Sequence, residues 1–250
     1  MHFDIPYGDH PRQKIDLYLP DEGKPKALIF YLYGGSWRDG NRGLYRMLGR
    51  TFDSSGYAVA IPDYRTYPEV KYPFFMEDAA LALSWLESHA LDYDLPDRPI
   101  ILIGHSAGAH MAALLLTNTR FLLAQEFDQA RIAGFVGLAG PYSFNPLEFD
   151  TTVDVFQTAS PIEDAMPIKN ISGAEPPMLL LHGEDDTTVY TRNTKEMTNA
   201  VNAAGGSARQ IIYPGIGHIG ILFAMHPLLR WRAPVFKDMM SFFETLVLAD

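Results

Sequence analysis

Ile100-Ile-Leu-Ile-Gly104-His105-Ser106-Ala107-Gly108-Ala-His-Met-Ala-Ala-Leu-Leu-Leu116 is the stretch that decides how this chain folds. Four branched apolar residues, Ile100 to Ile103, predict a buried strand, and the Ala-, Leu- and Met-rich run from Ala107 predicts a buried helix. Gly-His-Ser-Ala-Gly lies between them, a G-x-S-x-G nucleophile elbow. The spacing has a steric cause. A strand that turns abruptly into a helix holds its corner residue in a strained conformation, and side chains two residues to either side would clash. Gly104 and Gly108 remove those clashes, so the Ser106 hydroxyl can stand clear at the tip of the strand. The start of the helix then offers the Ala107 N–H to a developing oxyanion.

Outward from this elbow, apolar strand patterns alternate with helical ones. Gln13 to Leu19 alternates polar and apolar residues and reads as a half-exposed strand, ended by Pro20 and the turn Asp21-Glu-Gly23. Ala27–Tyr33 and Tyr57–Ile61 read as buried strands, with a helix expected over Arg42–Ser55 between them. Phe74–Ala90 has Phe75, Ala79, Ala82 and Leu86 at helical spacing. Beyond the elbow, strands are expected at Ile132–Leu138, Met178–His182 and Gln210–Tyr213, with helices at Val189–Ala204 and Pro234–Leu248. This alternation predicts an α/β fold: a mainly parallel central sheet, helices on both faces, and the first strand or two antiparallel at one edge. One domain is expected over 1–250. Residues 140–177 show no strong period and read as a short cap-like insertion of loops and short helices.

Composition narrows the chemistry. The chain has 250 residues, 47% hydrophobic and 20% charged, as an ordinary soluble globule does. A net charge of −10 argues against nucleic-acid or anionic-membrane partners, which need basic patches. With no cysteine, disulfides, thiolate metal sites and cysteine nucleophiles are excluded. Met1 to Asp9 lacks the basic and apolar regions of a secretory signal, no apolar run reaches transmembrane length, and a cytoplasmic location is expected. Asn170-Ile-Ser172 fits a glycosylation sequon but has no bearing without a secretory signal. The sequence carries no signal for an oligomeric state.

A serine hydroxyl needs a base, and the base needs an orienting carboxylate. Two segments follow buried strands at the end where such groups gather: His182-Gly-Glu-Asp185-Asp186-Thr-Thr-Val189 and Gly215-Ile-Gly217-His218. The candidates are Ser106 as nucleophile, His218 as base and Asp186 as orienting acid, with Asp185 and His226 as rivals for the last two places. His182 ends a strand and reads as structural. Gly34-Gly35-Ser36-Trp37 follows the strand where a second oxyanion donor would sit, although Gly-Gly alone could be a tight turn. Gly215 to Gly220 also matches G-x-G-x-x-G, but no second parallel strand follows to complete a dinucleotide-binding unit. There is no phosphate loop and no H-E-x-x-H, so neither cofactor nor metal is expected.

Together these residues resemble the α/β-hydrolase superfamily, and within it the small carboxylesterases, hormone-sensitive-lipase-like or kynurenine-formamidase-like. The likeness is carried by Tyr33-Gly-Gly-Ser-Trp37, Pro62-Asp-Tyr-Arg65 with Pro68, Gly104–Gly108, His182–Asp186 and Gly217-His218. The order Ser106, Asp186, His218 is the order of α/β-hydrolase triads. The resemblance implies oxyanion donors at Gly35 and Ser36 beside Ala107, and a structural loop at Asp63-Tyr64-Arg65 with Arg65 paired to Asp78. Tyr33 departs from the family, which more often has His there. The activity implied is hydrolysis of small carboxylic esters through an acyl-enzyme. An arylformamidase with the same triad is the near alternative, and a non-catalytic ligand-binding protein of this fold the distant one. Bulky residues would wall a shallow pocket: Trp37, Tyr142, Phe144 and Phe149, with Phe156 and Met166 nearby, about half of them expected in the core. Short acyl groups, acetyl to butyryl, are expected to fit best.

Overall fold

The computed structural model of the protein describes residues 1–95 and 99–247. Among them, eight strands form one sheet in the order β1-β2-β4-β3-β5-β6-β7-β8. They are β1 His2–Pro6, β2 Lys14–Tyr18, β3 Leu28–Leu32, β4 Ala58–Pro62, β5 Ile100–His105, β6 Ile132–Leu138, β7 Met178–Gly183 and β8 Ala208–Tyr213. β2 runs antiparallel to β1 and β4, and the strands from β4 through β8 are parallel. The helices are α1 Arg46–Asp53, α2 Phe74–Ser88, α3 Ala107–Thr117, α4 Arg120–Leu123, α5 Val153–Phe156, α6 Arg192–Ala203, α7 Gly220–Phe223 and α8 Val235–Val247. This is the α/β-hydrolase fold. None of the described helices is long and apolar enough to cross a membrane.

The strand order dictates where the helices lie. Right-handed crossovers that travel in opposite directions along a sheet put their helices on opposite faces. The β3-to-β4 step travels towards β1 and carries α1. The steps from β4 to β5, β5 to β6 and β7 to β8 travel the other way and carry α2, α3 and α6. The last helix joins α1, where Phe236 and Phe243 pack against Phe52. β5 therefore lies in the middle of the sheet with both faces covered, and Ile100 to Ile103 are at most 2% exposed. Burying each such side chain contributes roughly 1.5–3 kcal/mol. All eleven residues of α3 are buried, as an Ala- and Leu-rich sequence without a polar face requires.

Several boundaries differ from the sequence expectation for local reasons. β1 was not expected: its residues are mostly exposed, so it lacks the apolar alternation that marks a strand. The helix expected over Arg42–Ser55 opens as a 3₁₀ turn, Arg42–Tyr45, before α1. The helix expected from Val189 starts instead at Arg192, because the Asp186 carboxylate accepts the Thr188 and Val189 N–H groups and holds them in a turn. The last helix was expected to end at Leu248, which lies outside the described residues. Residues 140–177 form loops and helical pieces of three or four residues, the longest being α5 and the 3₁₀ turn Ile162–Ala165. These pieces make no separate helical layer above the sheet.

Candidate active site

The elbow holds Ser106 at φ 54° and ψ −121°, a conformation that L residues adopt only under constraint. The constraint is visible in the glycines. A Cβ on Gly104 would lie 2.4 Å from the Gly108 carbonyl oxygen, and one on Gly108 would lie 2.0 Å from the carbonyl oxygen of Leu32. β5, α3 and the end of β3 thus meet at contact distance, and Ser106 N–H continues the ladder to the Leu138 carbonyl at 2.9 Å.

Three strand ends converge here. Ser106 follows β5, Asp186 follows β7 and His218 follows β8. His218 Nε2 lies 2.9 Å from Ser106 Oγ, and His218 Nδ1 lies 2.6 Å from Asp186 Oδ2. A carboxylate can only accept, so Nδ1 carries the proton and Nε2 is left as acceptor for the serine hydroxyl. Asp186 is buried, which by itself would raise its pKa. Hydrogen bonds from His182, His218 and the Val189 N–H overcome that burial and hold the carboxyl well below its usual range. The rivals stand apart. Asp185 is exposed, and His226 caps the 3₁₀ turn Pro227–Arg232, accepting the Leu228 N–H at 3.2 Å.

Two further histidines, neither a candidate in the sequence, support these residues. His105 is buried and donates from Nε2 to the His218 carbonyl at 3.1 Å, tying the His218 loop to the elbow. Burial pushes its pKa down to about 3, so it stays neutral. His182 receives the Thr194 hydroxyl on Nδ1 at 2.7 Å and donates Nε2–H to the Val189 carbonyl at 2.7 Å. No local sequence signal could reveal the His105 contact, since its partner lies 113 residues away.

The loop after β3 packs directly on the elbow. A Cβ on Gly34 would lie 2.9 Å from Ser106 Cβ, so only glycine fits. Gly35, Ser36 and Trp37 take φ values of 141°, 52° and 57°, and the Gly35 carbonyl accepts the Arg38 and Asp39 N–H groups at 2.9 Å. Ser36 and Ala107 share with Ser106 the lining of one cavity, while Gly35 lines the opening on the other side. Ala107 N–H heads α3, where a helix has no acceptor of its own.

Tyr33, the departure from the family pattern, has its own anchor. Its hydroxyl donates to Asp63 Oδ1 at 2.8 Å, its carbonyl accepts the Tyr64 hydroxyl at 2.8 Å, and its ring stacks between Tyr45 and Tyr64. Asp63 also takes the Arg42 guanidinium and the Arg42 N–H. Arg65 pairs with Asp78, Nη2 to Oδ1 at 2.7 Å, as the resemblance implied.

Beside Ser106 lies a cavity of about 140 Å³, small against the roughly 300–1,000 Å³ usual for pockets that hold drug-sized ligands. Trp37, Phe144 and Phe149 wall it, Phe144 lying parallel to Trp37 at 5.9 Å between ring centroids. Tyr142 does not line it, a correction to the sequence expectation. Gly137 and Gly140 leave a space under the sheet end, and the buried Tyr142 ring fills it. Phe156 and Met166 are also core, Phe156 supporting Trp37 from below, edge to face at 4.8 Å. Missed by sequence reasoning were Thr188, Tyr190, Arg192 and Asn193, which reach the cavity from the turn after Asp186 and the start of α6.

With this geometry in hand, comparison places the chain among known proteins. The BD-FAE family matches it over residues 15–201. The chain belongs to that family. It is 28% identical over 271 residues to a probable isoprenylcysteine alpha-carbonyl methylesterase of Arabidopsis thaliana, ICMEL1, covering 98% of this chain and 56% of the relative. It is 27% identical over 236 residues to Esterase LipC of Mycobacterium tuberculosis, covering 85% of this chain and 58% of the relative. The BD-FAE chain therefore spans little more than half the length of these two relatives. Among solved structures, a truncated carbohydrate esterase from gut microbiota superposes with a TM-score of 0.83 at 21% identity, covering 99% of this chain and 96% of that one. At that identity the likeness speaks for the fold.

Proposed function

We propose that this BD-FAE family member is a serine carboxylic ester hydrolase that works through an acyl-enzyme. The observation that carries the reading is the unbroken hydrogen-bonded line from Asp186 through His218 to Ser106, at 2.6 Å and 2.9 Å. Ser106 Oγ attacks the ester carbonyl while His218 Nε2 takes its proton. Asp186, held ionised, keeps the Nδ1 proton in place and stabilises the imidazolium that forms. The backbone N–H groups of Ala107 and of the Gly35–Ser36 loop receive the oxyanion. His218 then hands its proton to the departing alcohol, and water releases the acid by the same steps in reverse. Relatives named as esterases support the class of reaction. A small cavity beside the serine supports short acyl groups.

The test is hydrolysis of nitrophenyl esters of graded acyl length, with N-formylkynurenine alongside, by the wild type and Ser106→Ala. Activity peaking between acetyl and butyryl and absent from the variant is the expected result. Preferred cleavage of N-formylkynurenine would make the protein an arylformamidase. Activity retained by Ser106→Ala would remove the serine mechanism.

A further inference from the structure

Ser106 stands between two spaces of different character. On the Ala107 side lies the small cavity walled by Trp37, Phe144 and Phe149. On the His218 side lies a more open cavity of about 350 Å³ that reaches Leu44, Tyr45 and Ile219. Those three residues also line a third space of about 100 Å³, bounded further out by Met47, Leu222 and Phe223. Adjoining at those shared residues, the second and third spaces make a groove that reaches from Ser106 past the 3₁₀ turn Arg42–Tyr45 and the start of α1 to α7. Near Ser106 its lining is mixed, with Ser36, Asp39 and Thr188, whereas its outer part is apolar yet open to solvent: Leu44 is 71% exposed, and Ile219 and Phe223 each 51%. Asp39 is the one carboxylate among its lining residues, and no lysine or arginine lines it. Exposed apolar side chains gathered beside a reactive group, rather than scattered singly, mark a place where something apolar binds.

Reaction chemistry decides which half of an ester lies there. When the tetrahedral adduct collapses, the bond between carbonyl carbon and alcohol oxygen breaks. The departing oxygen takes its proton from His218 Nε2, so the alcohol must lie on the His218 side and the acyl group on the other. Building on the ester-hydrolase reading above, we propose that the groove formed by Leu44, Met47, Ile219, Leu222 and Phe223 is the leaving-group subsite, and that the substrates are short-acyl esters of extended, uncharged, apolar alcohols. The enclosed cavity limits the acid. The groove rewards length in the alcohol, and Asp39 at its side disfavours alcohols that carry an anion.

The experiment compares kcat/KM, by titration of released acid, for two series. One is acetate esters of methyl, butyl and hexyl alcohol; the other is methyl esters of butyric, hexanoic and octanoic acid. Each buried methylene can improve the rate by at most about fourfold. The expected result is a rise of at least about tenfold from methyl to hexyl acetate by that pocket-filling limit, with a fall from methyl butyrate to methyl octanoate. Leu44→Ser and Phe223→Ser, both at exposed positions and each checked by circular dichroism, are each expected to cut the hexyl-to-methyl acetate ratio about fivefold or more. Two outcomes overturn the groove assignment while leaving ester hydrolysis intact: an alcohol series that stays flat, or an acid series that rises with length. A hexyl preference unmoved in both variants overturns it as well. Hydrolysis of no ester in either series overturns the ester-hydrolase reading and the groove assignment with it.

Discussion

His182 Nε2 lies 3.2 Å from Asp186 Oδ2, the carboxylate oxygen that also receives the Nδ1–H of His218. Both side chains are fully buried, and the His182 proton is directed chiefly at the Val189 carbonyl, 2.7 Å away. One imidazole therefore braces the turn that carries Asp186 and adds a polar contact to its carboxylate. His182→Ala leaves the Val189 carbonyl and the Thr194 hydroxyl without their partner. A stability loss of about 1–3 kcal/mol is expected from urea unfolding, with a roughly tenfold fall in kcat as Asp186 loosens. A variant matching the wild type in both would show the contact to be idle.

The choice between neighbouring aspartates makes a sharper prediction. Asp186 accepts from His218 and from two backbone N–H groups, whereas Asp185 is exposed. Asp186→Asn is expected to lower kcat by about 10⁴-fold, because the amide no longer fixes the imidazole tautomer. Asp185→Asn is expected to change it by less than about threefold, the usual range for a surface residue outside the hydrogen-bonded set. Equal losses would mean that the acid has been misassigned.

Ser106 carries the third prediction. A fluorophosphonate should label the wild type covalently and leave Ser106→Ala unlabelled, with turnover lowered by at least about 10³-fold. The alanine keeps the Cβ that packs on Gly34, so the unfolding midpoint should stay near that of the wild type. Labelling that persists in the variant would point to another nucleophile.

A buried histidine sets part of the acid sensitivity. His110 donates to the Ala165 carbonyl at 2.8 Å, and burial pushes its pKa down from 6.5 to about 4. Between those values the unfolded chain takes up a proton that the folded chain refuses. Its contribution is therefore complete above pH about 6.5 and is lost as the pH falls towards about 4, to the extent of roughly 3 kcal/mol. His105, lowered to about 3, acts with the same sign. His110→Gln can still offer an N–H to Ala165 but does not titrate. Its unfolding free energy, measured by urea titration across this range, is expected to fall less steeply than that of the wild type. Parallel curves would exclude His110 as a contributor.

The wall of the cavity beside Ser106 can be moved. Phe144 lies parallel to Trp37 and lines the cavity together with Phe149, which is 43% exposed. Phe144→Ala should admit longer acids and shift the preferred nitrophenyl ester from butyryl towards hexanoyl or octanoyl, each extra buried methylene gaining at most about fourfold. An unchanged chain-length profile would place the acyl group elsewhere.

Local patterns made much of this molecule readable in one dimension. Ile100 to Leu116 declared a strand, a strained corner and a helix, because hydrophobic period and glycine placement are properties of neighbouring residues. Ser106, Asp186 and His218 stood out for the same reason: each directly follows a strand pattern or sits in a short glycine-flanked turn, and strand ends of one sign collect on one side of a parallel sheet. The exposed β1 carried no such period and was invisible.

Tertiary structure alone decided what touches what. No period in the sequence distinguishes Tyr142 from Phe144, yet the space left free at Gly137 and Gly140 takes the tyrosine ring into the core while Phe144 lines the cavity. His105 meets the His218 carbonyl, and Leu44 shares a groove with Ile219, only because β3, β5 and β8 deliver their loops to one place. Periodicity reports which face of an element is buried. The partner across that face is set by packing among residues that lie a hundred or more positions apart in the chain, as His105 and His218 do.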